Sequence, residues 1–106
     1  MDKPLLHANE AFERKYRLKV KGINVDRIAK RVAEIMGIDP NQVWATGKQH
    51  KVVRARSILC YWATSELGVS QVWLSKKLGL SQAAVSLSVA RGLQIVNQQN
   101  YEIGNL

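Results

Sequence analysis

The chain has 106 residues, a length that supports one hydrophobic core and is too short for two. Hydrophobic residues make up 46% of it and only seven glycines and two prolines interrupt it, so its composition excludes an intrinsically disordered chain. Sixteen lysines and arginines against eight acidic residues leave a net charge of +8, which favours a polyanionic partner, nucleic acid first, over membrane-surface binding or charge that serves solubility alone.

The amino-terminal part of the chain predicts two helices. Residues 5–18 form the first, although their apolar periodicity is loose. In residues 24–36 the apolar side chains recur at the spacing of one helical face, with Asn24 placed as the N-cap and Gly37 just past the end.

The middle of the chain predicts a short helix and a long one. Asp39 followed by Pro40 predicts the cap and first position of a short helix that ends near Trp44. Residues 50–67 contain no glycine or proline, and their broad apolar stripe predicts a long, largely buried helix that Gly68 closes.

The stretch "LSKKLGLSQAAVS" predicts a helix-turn-helix over residues 70–91. Ser70 is placed to cap the first helix, and Gly79 stands where the backbone must turn with positive φ. Ser81 is placed to cap a second helix that begins at Gln82. The alternative is an ordinary helical hairpin, in which these residues only end one helix and begin the next.

Side-chain sizes in this stretch fit two helices packed at a close angle. Small residues are expected where the helices approach, at Ser75, Ala83 and Ala84. Larger apolar residues are expected in the wedge between them, at Leu74, Leu78, Leu80 and Val85. No strand-like alternation or internal repeat is present, so the sequence predicts an all-α single domain over 1–106, with about six helices and a core at about 10–98.

A helix-turn-helix inserts its second helix into the major groove, amino terminus first. Gln82 can then bond an adenine edge, Ser86 can bond a base, and Ser81 with the free N–H groups of the first turn suits a phosphate. Leu87 can touch a thymine methyl group or a protein partner. The predicted DNA-binding residues are Lys48, Lys51, Arg54, Lys76, Lys77, Ser81, Gln82, Ala83, Ser86, Leu87 and Arg91.

Two basic runs concentrate the positive charge, "RKYRLKVKG" at 14–22 and "KQHKVVRAR" at 48–56. The second run precedes and begins the long helix. It forms either a solvated helix face or a surface that binds phosphates or the minor groove, and Lys48 and Lys51 are stronger candidates for that binding than Arg56. Lys76 and Lys77 either touch the flanking DNA backbone or are solvated. The first run is either a second phosphate contact or a connection to something upstream.

The sequence contains no Gly-rich phosphate loop, paired carboxylates or Ser/His/Asp arrangement, so we expect neither an enzyme nor a cofactor. His7 and His50 stand apart from each other without ligand-spaced partners, which predicts no metal site. Cys60 is expected to be a small buried side chain. No apolar stretch is long enough to span a membrane and no signal segment is recognisable, which predicts a soluble cytoplasmic protein with no membrane or small-molecule partner.

Residues 53–92, "VRARSILCYWATSELGVSQVWLSKKLGLSQAAVSLSVARG", resemble the carboxy-terminal region of bacterial transposases of the REP-associated tyrosine type. In that family the pattern "ARS…CYW…ELG…LGLSQ.AVS..V.RG" recurs, and "ERKYRLKVKG" and "GINVDRIAKRVAEIMGIDPNQVW" look like the segment before it. The likeness covers about residues 10–101. The nuclease motifs of the family, a His-hydrophobic-His site and its catalytic tyrosine, have no counterpart here, so the chain resembles a separated carboxy-terminal domain.

In layout the region is also similar to the DNA-binding domain of the replication initiator DnaA and to the Trp repressor class. That resemblance implies a basic stretch near the minor groove and a helix from Gln82 in the major groove. The initiator's Asp-His-Thr-Thr run is replaced by Ser81, Gln82, Ala83 and Ala84, which argues against its target sequence.

Three functions are therefore expected from the sequence. The first is recognition of specific duplex or hairpin DNA on behalf of a transposase-related protein, whose parent chain would carry an upstream nuclease domain. The second is a stand-alone transcription or replication regulator. The third is a protein-interaction module that uses Leu87, an outward-facing Trp73 and the basic surface to meet an acidic partner.

Overall fold

The computed structural model describes residues 24–45 and 47–104, which form five α-helices and no strand. The helices are α1 (Val25–Met36), α2 (Pro40–Val43), α3 (His50–Leu67), α4 (Gln71–Leu78) and α5 (Gln82–Gln99). The predicted all-α class is confirmed for this part of the chain. The helix predicted over 5–18, the basic run at 14–22 and His7 lie outside the described residues.

The helix boundaries follow local capping chemistry. The Asn24 side chain accepts a hydrogen bond from the Arg27 amide at 3.0 Å and begins α1. At α2 the Asp39 carboxylate accepts from the Asn41 amide at 2.9 Å, while the Gln42 side chain accepts from the Asp39 amide at 3.0 Å. This reciprocal cap fixes the start of α2 at Pro40, as the sequence predicts.

α3 is the central helix and packs against every other element. One hydrophobic cluster joins it to α1 and α2 and includes Ile28, Ile58 and Trp62, all of which are buried. After α5 the chain returns to this cluster through Tyr101, and the Arg31 guanidinium donates to the Glu102 carbonyl at 3.1 and 3.3 Å. These contacts hold α1, α2 and the chain beyond α5 on one side of α3.

A second hydrophobic cluster lies between α3, α4 and the front of α5. Its buried members are Cys60, Ala63, Leu74, Leu78 and Val85. Leu80 is partly buried against them, so the predicted apolar wedge is confirmed. The expectation for small residues holds at Ser75 and Ala84, which are partly buried, and is wrong for Ala83, which is exposed because it lies on the opposite side of α5 from the wedge.

α5 crosses α3 at Gly92. A Cβ added to Gly92 would overlap the Ser57 carbonyl oxygen and would lie 2.7 Å from the Tyr61 Cβ, far below van der Waals contact. The helix-turn-helix predicted over residues 70–91 is followed by more helix, because α5 continues through Gly92 to Gln99. Gly92 therefore permits the close approach of two helices and does not end one.

None of the helices in the described ranges combines the length and apolar character that a membrane crossing requires.

We predict that Gly92→Ala lowers the free energy of unfolding by about 1–3 kcal/mol, the usual cost of overpacking. The added methyl group meets the backbone of Ser57, which cannot rotate away as a flexible side chain can. Gly47→Ala is the matched control, since its Cβ would meet no atom within 4 Å. Urea titration followed by circular dichroism measures both. A Gly92→Ala chain at least as stable as the original would show that α5 does not cross α3 this closely, because alanine favours a helix interior by about 1 kcal/mol.

Candidate nucleic-acid interface

The turn between α4 and α5 has the geometry that the sequence predicts. Gly79 ends α4 with φ of 69°, in the left-handed region that glycine adopts without strain. The Leu80 amide then donates to the Ser75 carbonyl at 3.0 Å. Ser81 begins α5, its hydroxyl oxygen accepting from the Ala84 amide at 3.1 Å. Two capped helices thus meet through the three residues Gly79, Leu80 and Ser81.

The front end of α5 is exposed on one side. Gln82, Ala83, Ser86 and Leu87 are all exposed, and the Leu87 side chain leaves 65% of its surface open. Val85 on the opposite face is fully buried in the wedge and anchors this first turn. The exposed front end is the geometry that insertion into a groove requires.

A basic cleft lies between the start of α3 and the carboxy-terminal half of α5. Its volume is about 500 Å³, and its lining residues are Lys48, His50, Val53, Arg54, Arg91, Gln94, Ile95 and Gln98. Lys48, Arg54 and Arg91 bring three cations into it, and no carboxylate of the described residues lines it. The structure therefore brings together three of the predicted DNA-binding residues that lie up to 43 positions apart in the sequence, counting from Lys48 to Arg91.

Arg56 holds the loop that carries Lys48. Its guanidinium Nη1 donates to the Ala45 carbonyl at 2.9 Å and to the Gly47 carbonyl at 3.4 Å. Arg56 is partly buried in this position. The sequence alternatives of solvation or phosphate contact did not include these bonds, which position the loop that forms one wall of the basic cleft.

The remaining predicted cations are distributed outside the basic cleft. Lys51 and Lys76 are exposed. The Lys77 ammonium lies 5.5 Å from the centroid of the Trp44 ring, within the range of a cation–π contact. This contact joins α4 to the end of α2, an arrangement that the sequence alternatives of phosphate contact or solvation did not include.

The structure adds one residue to the interface that the sequence analysis missed. The Ser86 hydroxyl donates to the Gln71 side-chain oxygen at 2.5 Å, across the gap between α5 and α4. Gln71 is the first residue of α4, just after the Ser70 cap. A polar side chain at the start of the first helix was the available signal, but the pairing depends on the angle between the two helices.

Trp73 is 44% exposed, as expected. At about 100° per residue it lies roughly 200° around α4 from Gln71, whose side chain contacts α5. Trp73 therefore faces away from α5, the helix that carries Leu87.

A second cleft, of about 440 Å³, differs in charge from the basic cleft. Glu66 and Glu102 line it together with aromatic residues such as Tyr61 and Tyr101. The carboxylates make this cleft a poor site for a phosphate. Cations and carboxylates thus line separate clefts of the domain.

Within the described residues, no three histidine, cysteine or acidic side chains come together as a metal site requires. His50 is exposed at the rim of the basic cleft. Cys60 is fully buried, and burial raises the pKa of its thiol to about 11 although the nearby Arg56 charge acts in the opposite direction. At neutral pH this thiol is protonated, and a protonated thiol is a poor nucleophile.

Comparisons with protein-family models, with curated proteins and with solved structures find no match to this chain. The resemblance to the transposase family stays a prediction from the sequence.

We predict that Cys60 does not react with a disulfide reagent in the folded protein at mildly alkaline pH. Burial excludes the reagent, and the raised pKa leaves little thiolate. Release of the coloured thiol from the reagent measures the reaction. Unfolding in urea is the positive control and should restore one equivalent of reactive thiol, because Cys60 is the single cysteine of the chain. Rapid, complete reaction without urea would contradict the packing described for α3.

Proposed function

We propose that this chain is a sequence-specific DNA-binding domain. The front end of α5 would enter the major groove of duplex or hairpin DNA, and the basic cleft would hold the phosphate backbone beside that groove. The observation that carries the proposal is that exposed polar residues at the front end of α5 and a three-cation cleft lie along the same helix.

The spacing of the two features suits a groove and its edge. Gln82 and Arg91 are nine residues apart on α5, which corresponds to about 13 Å along the helix axis. The major groove is about 12 Å wide. At about 100° per residue, Arg91 lies about 180° around α5 from Gln82 and about 40° from Leu87. A helix whose front end enters the groove would therefore bring Arg91 and the basic cleft to phosphates on the Leu87 side of α5.

The roles of the residues at the front end follow from their hydrogen-bonding groups. The Gln82 amide can both donate to and accept from an adenine edge. The Ser81 oxygen already accepts from the Ala84 amide, which leaves its O–H proton for a phosphate. The Leu87 and Ala83 side chains offer methyl groups to a thymine.

The biological setting is proposed from the resemblance of residues 53–92 to the carboxy-terminal region of REP-associated tyrosine transposases. In that setting the domain would recognise the target for a transposase-related protein in bacterial DNA transposition. A stand-alone transcription or replication regulator would use the same interface. Neither role requires the domain to be an enzyme.

A protein-interaction module is less well supported. A single docking patch would need the exposed apolar side chains of Trp73 and Leu87 on one surface, but Trp73 faces away from α5. Recognition of an acidic protein would use the same cations, and the dependence on DNA sequence distinguishes it from DNA binding.

We predict that affinity for a duplex selected from a random oligonucleotide pool falls steeply with salt. Arg54→Gln and Arg91→Gln should each reduce the slope of log affinity against log salt by about 0.9 if each arginine neutralises one phosphate. Fluorescence anisotropy across a salt series measures the slopes. Lys30→Gln is the matched control, because it removes one exposed positive charge from α1, and Lys30 does not line the basic cleft.

Gln82→Ala, measured in the same experiment against selected and scrambled duplexes, should reduce discrimination between them while leaving affinity for the scrambled duplex nearly unchanged. Absence of binding to any duplex at low salt would rule out the proposed function. Equal loss of slope in Lys30→Gln and Arg91→Gln would show that net charge, and not the basic cleft, determines binding.

A further inference from the structure

The hydrogen bond between Ser86 and Gln71 joins two side chains at the DNA-facing end of the helix pair. Ser86 is exposed and Gln71 is partly buried. Ser86 lies one turn after Gln82 on α5, so the two residues share a side of the helix. Gln71 reaches this side from α4, which places an α4 residue beside the front of α5.

The bond determines which groups remain for a ligand. A glutamine amide has one oxygen acceptor and an NH₂ group with two donors, and a serine hydroxyl has one donor with two lone pairs. The Ser86 proton is committed to the Gln71 oxygen. The pair therefore presents the Gln71 NH₂ group as a donor and the Ser86 oxygen as an acceptor.

We propose that the Gln71–Ser86 pair reads an adenine in the major groove, a role that rests on the proposed DNA-binding function. Adenine presents an acceptor, N7, beside a donor, the N6 amino group. Guanine presents two acceptors, cytosine one donor, and thymine one acceptor and a methyl group. Among single bases, adenine alone matches the donor and acceptor of the pair, with Gln71 facing N7 and Ser86 facing N6.

This assignment changes the role given to Ser86 from the sequence. Taken alone, its hydroxyl can donate or accept, so it selects no base. With its proton held by Gln71, the hydroxyl is an acceptor only. Ser86 also orients the Gln71 amide, so that two residues on different helices act as one bidentate reader.

The test combines side-chain variants with atom-level changes in the DNA. A duplex is selected from a random pool by the original protein, and each adenine is then replaced singly by 7-deazaadenine, which lacks the N7 acceptor. At the adenine read by the pair, this change should weaken binding about tenfold, within the usual range for a base contact. Gln71→Ala should weaken binding to the unmodified duplex by a similar factor, and it should be insensitive to 7-deazaadenine at that position.

Ser86 variants separate positioning from simple contact. Ser86→Ala should lower both affinity for the selected duplex and sensitivity to the modified adenine. Ser86→Thr should retain both, because it keeps the hydroxyl group. Gln99→Ala is the control, since Gln99 is an exposed glutamine at the far end of α5 and does not line the basic cleft. Urea titrations of all variants establish that the losses do not come from unfolding, because an exposed helix–helix hydrogen bond contributes little to stability.

Three results would overturn the proposal. A selected duplex without a preferred adenine would remove the ligand, and Gln71→Ala that remains fully sensitive to every 7-deazaadenine would exclude Gln71 as the N7 donor. The third is a fall in affinity for scrambled duplexes as large as that for the selected one, which indicates a structural or phosphate role. In each case DNA binding itself is retained, whereas absence of binding by the original protein would reject the proposed function together with this inference.

Discussion

The crossing of α5 over α3 at Gly92 is the constraint on which the rest of the interface depends. Because no side chain separates Gly92 from the Ser57 backbone, the two helices approach closely, and Ile95 is buried in the main core one turn later. The carboxy-terminal half of α5 is thereby anchored, and its front end packs in the second cluster between α3 and α4. Arg91, next to Gly92, is brought opposite Lys48 in the basic cleft.

The two hydrophobic clusters join different sets of helices to α3. The cluster around Ile28, Ile58 and Trp62 joins α1 and α2 to α3, and Arg31 adds the chain beyond α5 to the same body. The cluster around Leu74 and Val85 sets the angle between α4 and α5. Three cations line the basic cleft between α3 and α5, whereas Glu66 and Glu102 line a different cleft. The buried clusters thus hold the helices in place, and the separation of charge favours an anionic ligand at the basic cleft.

Sequence alone predicts what depends on local chemistry. Asn24, Asp39, Ser70 and Ser81 cap the helices as expected, because an N-cap acts within three residues of its own position. Gly79 turns the chain for a similarly local reason. The contacts that shape the interface were not predicted: the Gly92 crossing, the Arg56 bonds to the loop, Lys77 over Trp44 and Gln71 beside Ser86. Each joins different elements, so it depends on helix angles that no single sequence window contains.

The central claim is that one surface, the front of α5 together with the basic cleft, meets DNA. Titration of the isotopically labelled protein with a selected duplex, followed through backbone amide chemical shifts, tests it most directly. The account predicts shifts at Gln71, at Gln82–Leu87 and along the basic cleft, with α1 and residues 101–104 unchanged. Shifts centred on α1 or on the cleft lined by Glu66 and Glu102, or no shifts at low salt, would contradict it.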